Sequence, residues 1–214
     1  MDRLNQWIAT QYLEEKKISL LKRQFSSAKP FPHIVLQDFF REEKANALRD
    51  ALLSIDYEKK ESDLFSFLQS ADLRIVKNTV IKDFVAFYTS TEFKRYIEYL
   101  CSEKGIQGID LSGFVYSDTD YLLPHDDQLQ GRKIAYVVNL SKGFTAKDGG
   151  QLEFFSTKKK GKEILPVKIV KKFTPSYNTL FLFKVQKNSF HQVAEVTSQK
   201  KRVSIGGWFH GKNV

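Results

Sequence analysis

The stretch DGGQLEFFSTKKKGKEILPVKIVKKFTPSYNTLFLFKV, residues 148–185, decides the fold class. It holds three runs rich in Phe, Leu, Ile and Val: Leu152–Phe155, Ile164–Val170 and Thr179–Val185. Between and before them stand Asp148-Gly149-Gly150, Lys160-Gly161-Lys162 and Pro175-Ser176-Tyr177-Asn178. Glycine supplies positive φ, while proline, serine and asparagine favour tight turns, so each cluster ends one strand and begins another. The same texture extends outward, to Leu111–Tyr116 and Ile134–Leu140 before the stretch and Arg202–His210 after it. Many short strands separated by turns predict a β-sandwich or barrel.

Upstream of residue 110 the period changes. Leu4, Trp7, Ile8, Tyr12 and Leu13 recur at helical spacing, as do Ile18, Leu21 and Phe25. Ser26-Ser27-Ala28-Lys29-Pro30-Phe31-Pro32 then reads as a linker into a strand, His33–Leu36. Helical patterns return at 41–54, where Ala45, Leu48 and Leu52 share a face, and from about 80 to 102. Helices first and strands after predict an α+β chain with a jelly-roll core and an N-terminal helical scaffold. The expected layout is one domain over 1–214. Residues 1–29 form an N-terminal helix, 30–110 a helical support with strands leading into the core, and 111–211 the jelly roll.

Hydrophobic residues make up 42% of the 214 and charged residues 28%, which is globular rather than disordered composition. A single cysteine, Cys101, excludes an intrachain disulfide framework and a cysteine-based metal cluster. No run reaches the length of a membrane span, and Met1–Lys17 carries charges where a secretory leader has an apolar core. The expectation is a soluble, cytoplasmic protein without membrane partners. Charge is unevenly spread: residues 1–150 hold 21 Lys+Arg against 22 Asp+Glu, and residues 151–214 hold 13 against 3. That basic C-terminal part could attract anions, whether nucleic acid or a small dicarboxylate. Lysines that coat strands and discourage edge pairing explain it equally well.

Chemistry concentrates at His125-Asp126-Asp127. On an extended backbone residues i and i+2 share a face, which puts His125 and Asp127 side by side. A second imidazole would complete a two-histidine, one-carboxylate set that holds a ferrous ion and leaves coordination positions open. His191 is the candidate. With four histidines and 13 aspartates in the chain, roughly 0.2 His-x-Asp matches arise by chance, so a surface His125 and a core His191 are competing readings. Arg202, eleven residues after His191, adds weight. If the two open neighbouring antiparallel strands, both face one interior. A buried arginine there needs a carboxylate, and its planar fork suits a bidentate one.

The arrangement His125-x-Asp127, His191, Arg202 resembles iron(II)- and 2-oxoglutarate-dependent oxygenases of the prolyl 4-hydroxylase superfamily. Its closest likeness is to the catalytic domain of the ribosomal prolyl hydroxylase branch. The segments that carry it are His125-Asp126-Asp127-Gln128-Leu129-Gln130-Gly131-Arg132-Lys133, Gly149-Gly150-Gln151-Leu152, Pro175-Ser176-Tyr177-Asn178, Ser189-Phe190-His191-Gln192-Val193 and Gly207-Trp208-Phe209-His210-Gly211, with Pro30-Phe31-Pro32-His33-Ile34-Val35 upstream. The resemblance implies a double-stranded β-helix fold. It implies that His125, Asp127 and His191 bind Fe(II) as the catalytic centre and that Arg202 grips the far carboxylate of 2-oxoglutarate. Tyr116 and Leu122 would line the co-substrate pocket, Trp208 its floor, and Arg132 would meet substrate. It further implies molecular oxygen as reactant, ascorbate as a cofactor, succinate and carbon dioxide as products, a proline-bearing protein or peptide as substrate, and ribosome association. One departure stands out. Asn139 occupies a position where the family usually has a co-substrate-binding tyrosine, and its shorter amide can still donate a hydrogen bond.

Neighbouring readings differ in specific residues. Related halogenases lack the carboxylate ligand, whereas Asp127 is present. Nucleic-acid demethylases place an arginine about six residues after the second histidine, where this chain has Thr197. Two alternatives stay open. One is a hydroxylase of a free amino acid or peptide natural product. The other is a non-enzymatic basic module for RNA or ribosomes, with Phe154, Phe155 and Tyr177 as stacking surfaces.

Overall fold

The computed structural model describes residues 3–129 and 131–211, so Gln130 of the His125–Lys133 segment lies outside the described residues. Strands β1 (His33–Gln37), β2 (Glu58–Ser62), β3 (Phe65–Asp72), β4 (Gly108–Ile109), β5 (Ser112–Tyr116), β6 (Tyr121–His125), β7 (Arg132–Asn139), β8 (Leu152–Lys160), β9 (Glu163–Phe173), β10 (Thr179–Lys184), β11 (His191–Val193) and β12 (Arg202–His210) form one curled antiparallel sheet. Its order is β1-β10-β7-β12-β5-β3-β6-β11-β8-β9, with β2 added beside β3 and β4 beside β12. Strand β3 makes the fold close. Its Leu68 and Gln69 pair with β5, while its Phe65 and Ser66 pair with β6, so one strand serves both walls. The result is the expected α+β jelly roll.

Alternation assigns the two faces of the large wall. Tyr136, Val138, Leu180, Leu182, Val203 and Ile205 join the core beneath the helices. Ala135, Leu152, Phe154, Phe181 and Phe183 pack together on the inner side, with Val137 and Trp208 against them. The inner side therefore receives Arg202, Ser204, Gly206 and Trp208 from β12, alternate residues of one strand.

Helices cover the outside: α1 (Arg3–Trp7), α2 (Glu15–Ser27), α3 (Glu42–Leu53), α4 (Thr79–Tyr88) and α5 (Thr91–Leu100). Trp7 is buried, stacked on Phe87 with ring centroids 5.3 Å apart, and this aromatic layer seats the scaffold on the sheet. Two capping residues start helices. The Asn78 side chain accepts from the Val80 and Ile81 N–H groups, and Ser90 Oγ accepts from Phe93 N–H. Each such cap contributes about 1 kcal/mol. No described helix is long and apolar enough to cross a membrane.

Several expectations need correction. The N-terminal 1–29 helix is broken: a 3-10 turn at Thr10–Tyr12 separates α1 from α2, because Ala9 N–H turns aside to Phe39 O. The pattern at 80–102 is two helices, divided where Ser90 caps α5. The sheet does not begin at 111, since β1 is the outer neighbour of β10 and β3 bridges the walls. The β2–β3 hairpin escaped because Glu58-Lys59-Lys60-Glu61-Ser62 is mostly exposed and charged, with no apolar alternation to read.

Candidate active site

His125 ends β6 and His191 opens β11, and the two are register partners. Cross-strand partners present side chains to the same face, and here the ring centroids lie 4.2 Å apart. Each Nδ1 is held by a carbonyl two residues back: Leu123 O at 2.8 Å for His125 and Ser189 O at 2.9 Å for His191. A ring that donates from Nδ1 keeps the Nε2 lone pair free, the tautomer a metal needs. Both Nε2 atoms face Asp127, at 3.4 Å from Oδ1 and 3.3 Å from Oδ2.

Asp127 does not reach this place by strand alternation. It lies past the end of β6 at φ 61°, in the left-handed region where aspartate is among the tolerated residues. The expectation that an extended backbone aligns His125 with Asp127 found the right pair by the wrong geometry. Potential ligand atoms of the three residues all lie within 4.8 Å of one another. Burial works to raise the Asp127 carboxyl, but the two imidazoles outweigh it and hold it well below the usual carboxylate range. Burial likewise works to lower His125, and its hydrogen bond and charge contact with Asp127 raise it overall. Two imidazole nitrogens and one carboxylate fit a ferrous ion.

Arg202 enters from the opposite wall. β12 pairs with β4, β5 and β7, and β11 pairs with β6 and β8, so the two are not the neighbouring strands the spacing suggested. They meet across the interior instead. Arg202 is 2% exposed, donates from Nη1 to Ser204 Oγ at 3.3 Å, and leaves Nε without a partner. Among the described residues no carboxylate pairs with it. Burial pushes its guanidinium down, and Tyr116, whose ring lies 5.0 Å away, partly offsets this. A buried cation with a free donor is costly unless an anion completes it. A carboxylate of a small dianion fits that need.

A cavity of about 510 Å³ joins the two halves. His125, Asp127, His191, Arg202, Tyr116, Leu122, Trp208 and Arg132 all border it. Arg132 stacks over Trp208, its guanidinium carbon 3.3 Å from the ring centroid, and Nη1 lies 3.8 Å from Asp127 Oδ1. Asn139 does not border the cavity. It pairs with Ser204 on β12, is 1% exposed, and its Oδ1 accepts from Ser141 N–H at 2.9 Å. The turn after β7 uses the amide oxygen.

Ser204 and the apolar wall of Phe67, Phe114 and Phe183 went unread. Ser204 was findable, two residues after Arg202 on the same face. The phenylalanines carry no signal that separates a pocket wall from a core. Gly149 and Gly150 adopt φ 72° and 68°, and a Cβ on Gly150 would sit 3.3 Å from Arg202 Cδ. The paired glycines let the loop pass tightly against the arginine.

Residues 111–210 match the 2OG-Fe(II) oxygenase superfamily. The chain is 36% identical over 184 residues to the prolyl 3-hydroxylase OGFOD1 of Xenopus laevis, covering 85% of this chain and 35% of that protein. It is 30% identical over 218 residues to the prolyl 3-hydroxylase sudestada1 of Drosophila melanogaster, covering 97% and 40%. The chain thus spans little more than a third of the length of these curated relatives. A crystal structure of a Pseudomonas putida prolyl-4-hydroxylase superposes with a TM-score of 0.67 at 16% identity, over 90% of this chain and 99% of that one.

Proposed function

The chain belongs to the 2OG-Fe(II) oxygenase superfamily, and from that premise we propose that it is a dioxygenase that hydroxylates a prolyl residue of a protein. The reaction consumes 2-oxoglutarate and molecular oxygen. One oxygen atom enters the substrate C–H bond, the other enters succinate, and carbon dioxide leaves. Ferrous iron, when bound, supplies the oxygen activation.

The protein's own contribution is placement. His125, Asp127 and His191 would hold the metal, their imidazoles oriented by Leu123 O and Ser189 O. Arg202, supported by Ser204, receives the distal carboxylate, beside Tyr116. Leu122 and the phenylalanine wall keep water from the reacting carbon. Trp208 and Arg132 border the side left for substrate. The observation that carries this reading is the pairing of a three-ligand cluster with a buried arginine that lacks an acid, both facing one cavity.

The names of the curated relatives favour position 3 of the proline ring and a polypeptide substrate. Ribosome association, ascorbate as a reductant that keeps the metal ferrous, and a cytoplasmic site of action complete the proposal. It is tested by mass spectrometry of the host proteome with and without this protein. One added oxygen on a prolyl residue, present only with the active chain, is the expected result. Oxygen added only to a free amino acid or small peptide would favour the alternative substrate class.

A further inference from the structure

The β8–β9 hairpin, residues 152–173, carries seven lysines, two glutamates, and no aspartate or arginine. Their register explains what this charge is attached to. β8 pairs with β11 only as far as Phe154, opposite the iron-facing His191, with one more backbone bond from Phe155 N–H to Phe190 O. From Ser156 outward the hairpin pairs only with itself, Ser156 with Lys168 and Lys160 with Glu163. It is a two-stranded ribbon that projects past the sheet.

Alternation from Phe154 puts Ser156, Lys158 and Lys160 of β8, with their partners Lys168, Leu165 and Glu163 of β9, on one face of the ribbon. Lys158 and Lys160 stand ~7 Å apart along the strand, and Lys158 lies ~14 Å along it from Phe154. Lys171 and Lys172 have partners, His33 and Glu153. Among the described residues Lys158, Lys159, Lys160, Lys162 and Lys168 make no ion pair. Five ammonium groups on one short ribbon, with Glu163 the single carboxylate among them, leave a net positive charge that a line of phosphates would neutralise.

We infer that this ribbon docks on the phosphate backbone of a double-helical RNA. Residues 156–172 hold no aromatic ring, so a stacked single strand has no platform. They also hold no Arg, Asn or Gln, which leaves base-edge reading to lysine and short hydroxyls and makes phosphate the main contact. Backbone charge and shape are what remain, which is how helical RNA is bound. The exposed Leu165, Val167, Ile169 and Val170 would instead suit a peptide strand added to β9. Two register shifts and Pro166, which has no N–H, blunt that edge. The inference does not depend on the oxygenase reading, because its test is binding.

The experiment is fluorescence anisotropy with an RNA duplex of about 20 base pairs at several salt concentrations. Neutralising about three or four phosphates gives a log–log salt slope near −3. The triple substitution K158Q/K160Q/K168Q weakens binding at least about tenfold at fixed salt and flattens the slope by about 2–3. Arginine at the same three positions retains binding. Unchanged iron-dependent succinate release from the glutamine variant establishes that it is folded. The inference is overturned by no RNA binding at low salt or by equal binding of the glutamine variant. Tighter binding to a DNA duplex, to an acidic aliphatic peptide or to phosphatidylserine vesicles also overturns it.

Discussion

Arg202 and Tyr116 are register partners on β12 and β5, and the guanidinium carbon lies 5.0 Å from the phenol ring. Both side chains are buried, and burial pushes the Tyr116 hydroxyl up to about 12 despite the neighbouring cation. The pair therefore presents an un-ionised phenol and an arginine with a free Nε, a combination that lacks only an anion. Substituting Arg202→Gln is expected to raise the 2-oxoglutarate concentration needed for half-maximal turnover about 100-fold. That corresponds to the 2–5 kcal/mol typical of losing one partner of a buried charge pair. Titrating 2-oxoglutarate against succinate release measures it. An unchanged requirement would remove the arginine from co-substrate binding.

The same free Nε bears on stability. Without a dicarboxylate the buried guanidinium is a burden, so Arg202→Met should leave the melting temperature of the ligand-free protein unchanged or higher. 2-Oxoglutarate, which stabilises the native protein by binding only its folded form, should no longer raise it. Thermal denaturation with and without 2-oxoglutarate separates the two effects.

Gly150 should not accept a side chain. Its φ of 68° costs a β-carbon about 1–2 kcal/mol, and the new atom would press on Val196 Cγ2 at 3.2 Å and Arg202 Cδ at 3.3 Å. Gly150→Ala is expected to lower the denaturant midpoint and weaken 2-oxoglutarate binding together. Loss of stability with co-substrate affinity intact would mean the loop does not steer the arginine.

His33 gives the fold an acid sensitivity. It is 6% exposed, with Phe154 and Phe173 near its ring and Lys171 Nζ 3.2 Å from Nε2. Burial lowers its pKa below the ordinary histidine value, and Lys171 adds to this against the opposing Phe31 carbonyl. The unfolded chain therefore takes up the proton first as pH falls through about 6.5. This histidine's contribution is intact above that pH and is lost progressively below it, toward the lower folded value. Urea midpoints at pH 7.5 and 5.5 should fall less for His33→Phe than for the native protein. An equal fall would assign the sensitivity elsewhere.

The parts of this molecule that could be read in sequence are those where chemistry or period is local. The strand runs from Leu152 to His210 follow from apolar residues between turn formers. His125, Asp127, His191 and Arg202 follow from residue types that are costly to bury without purpose. What could not be read depends on pairing between distant strands. Nothing in residues 191–202 says that β11 and β12 sit in opposite walls, because that is set by β6, β7 and β8. Asn139 lies on the inner side of the sheet, and its amide oxygen accepts from Ser141 N–H, a turn contact invisible in spacing. The β2 strand is hidden by its own charges, since an exposed strand has no apolar alternation to display.

The most direct test of the metal centre is anaerobic Fe(II) retention, followed by succinate and carbon dioxide release once oxygen is admitted, for the native protein and Asp127→Ala. The native chain should bind one ferrous ion and convert 2-oxoglutarate even without a protein substrate, and Asp127→Ala should do neither. A native chain that holds no iron, or an Asp127→Ala variant that turns over as fast, would contradict the assignment of His125, Asp127 and His191 as one site.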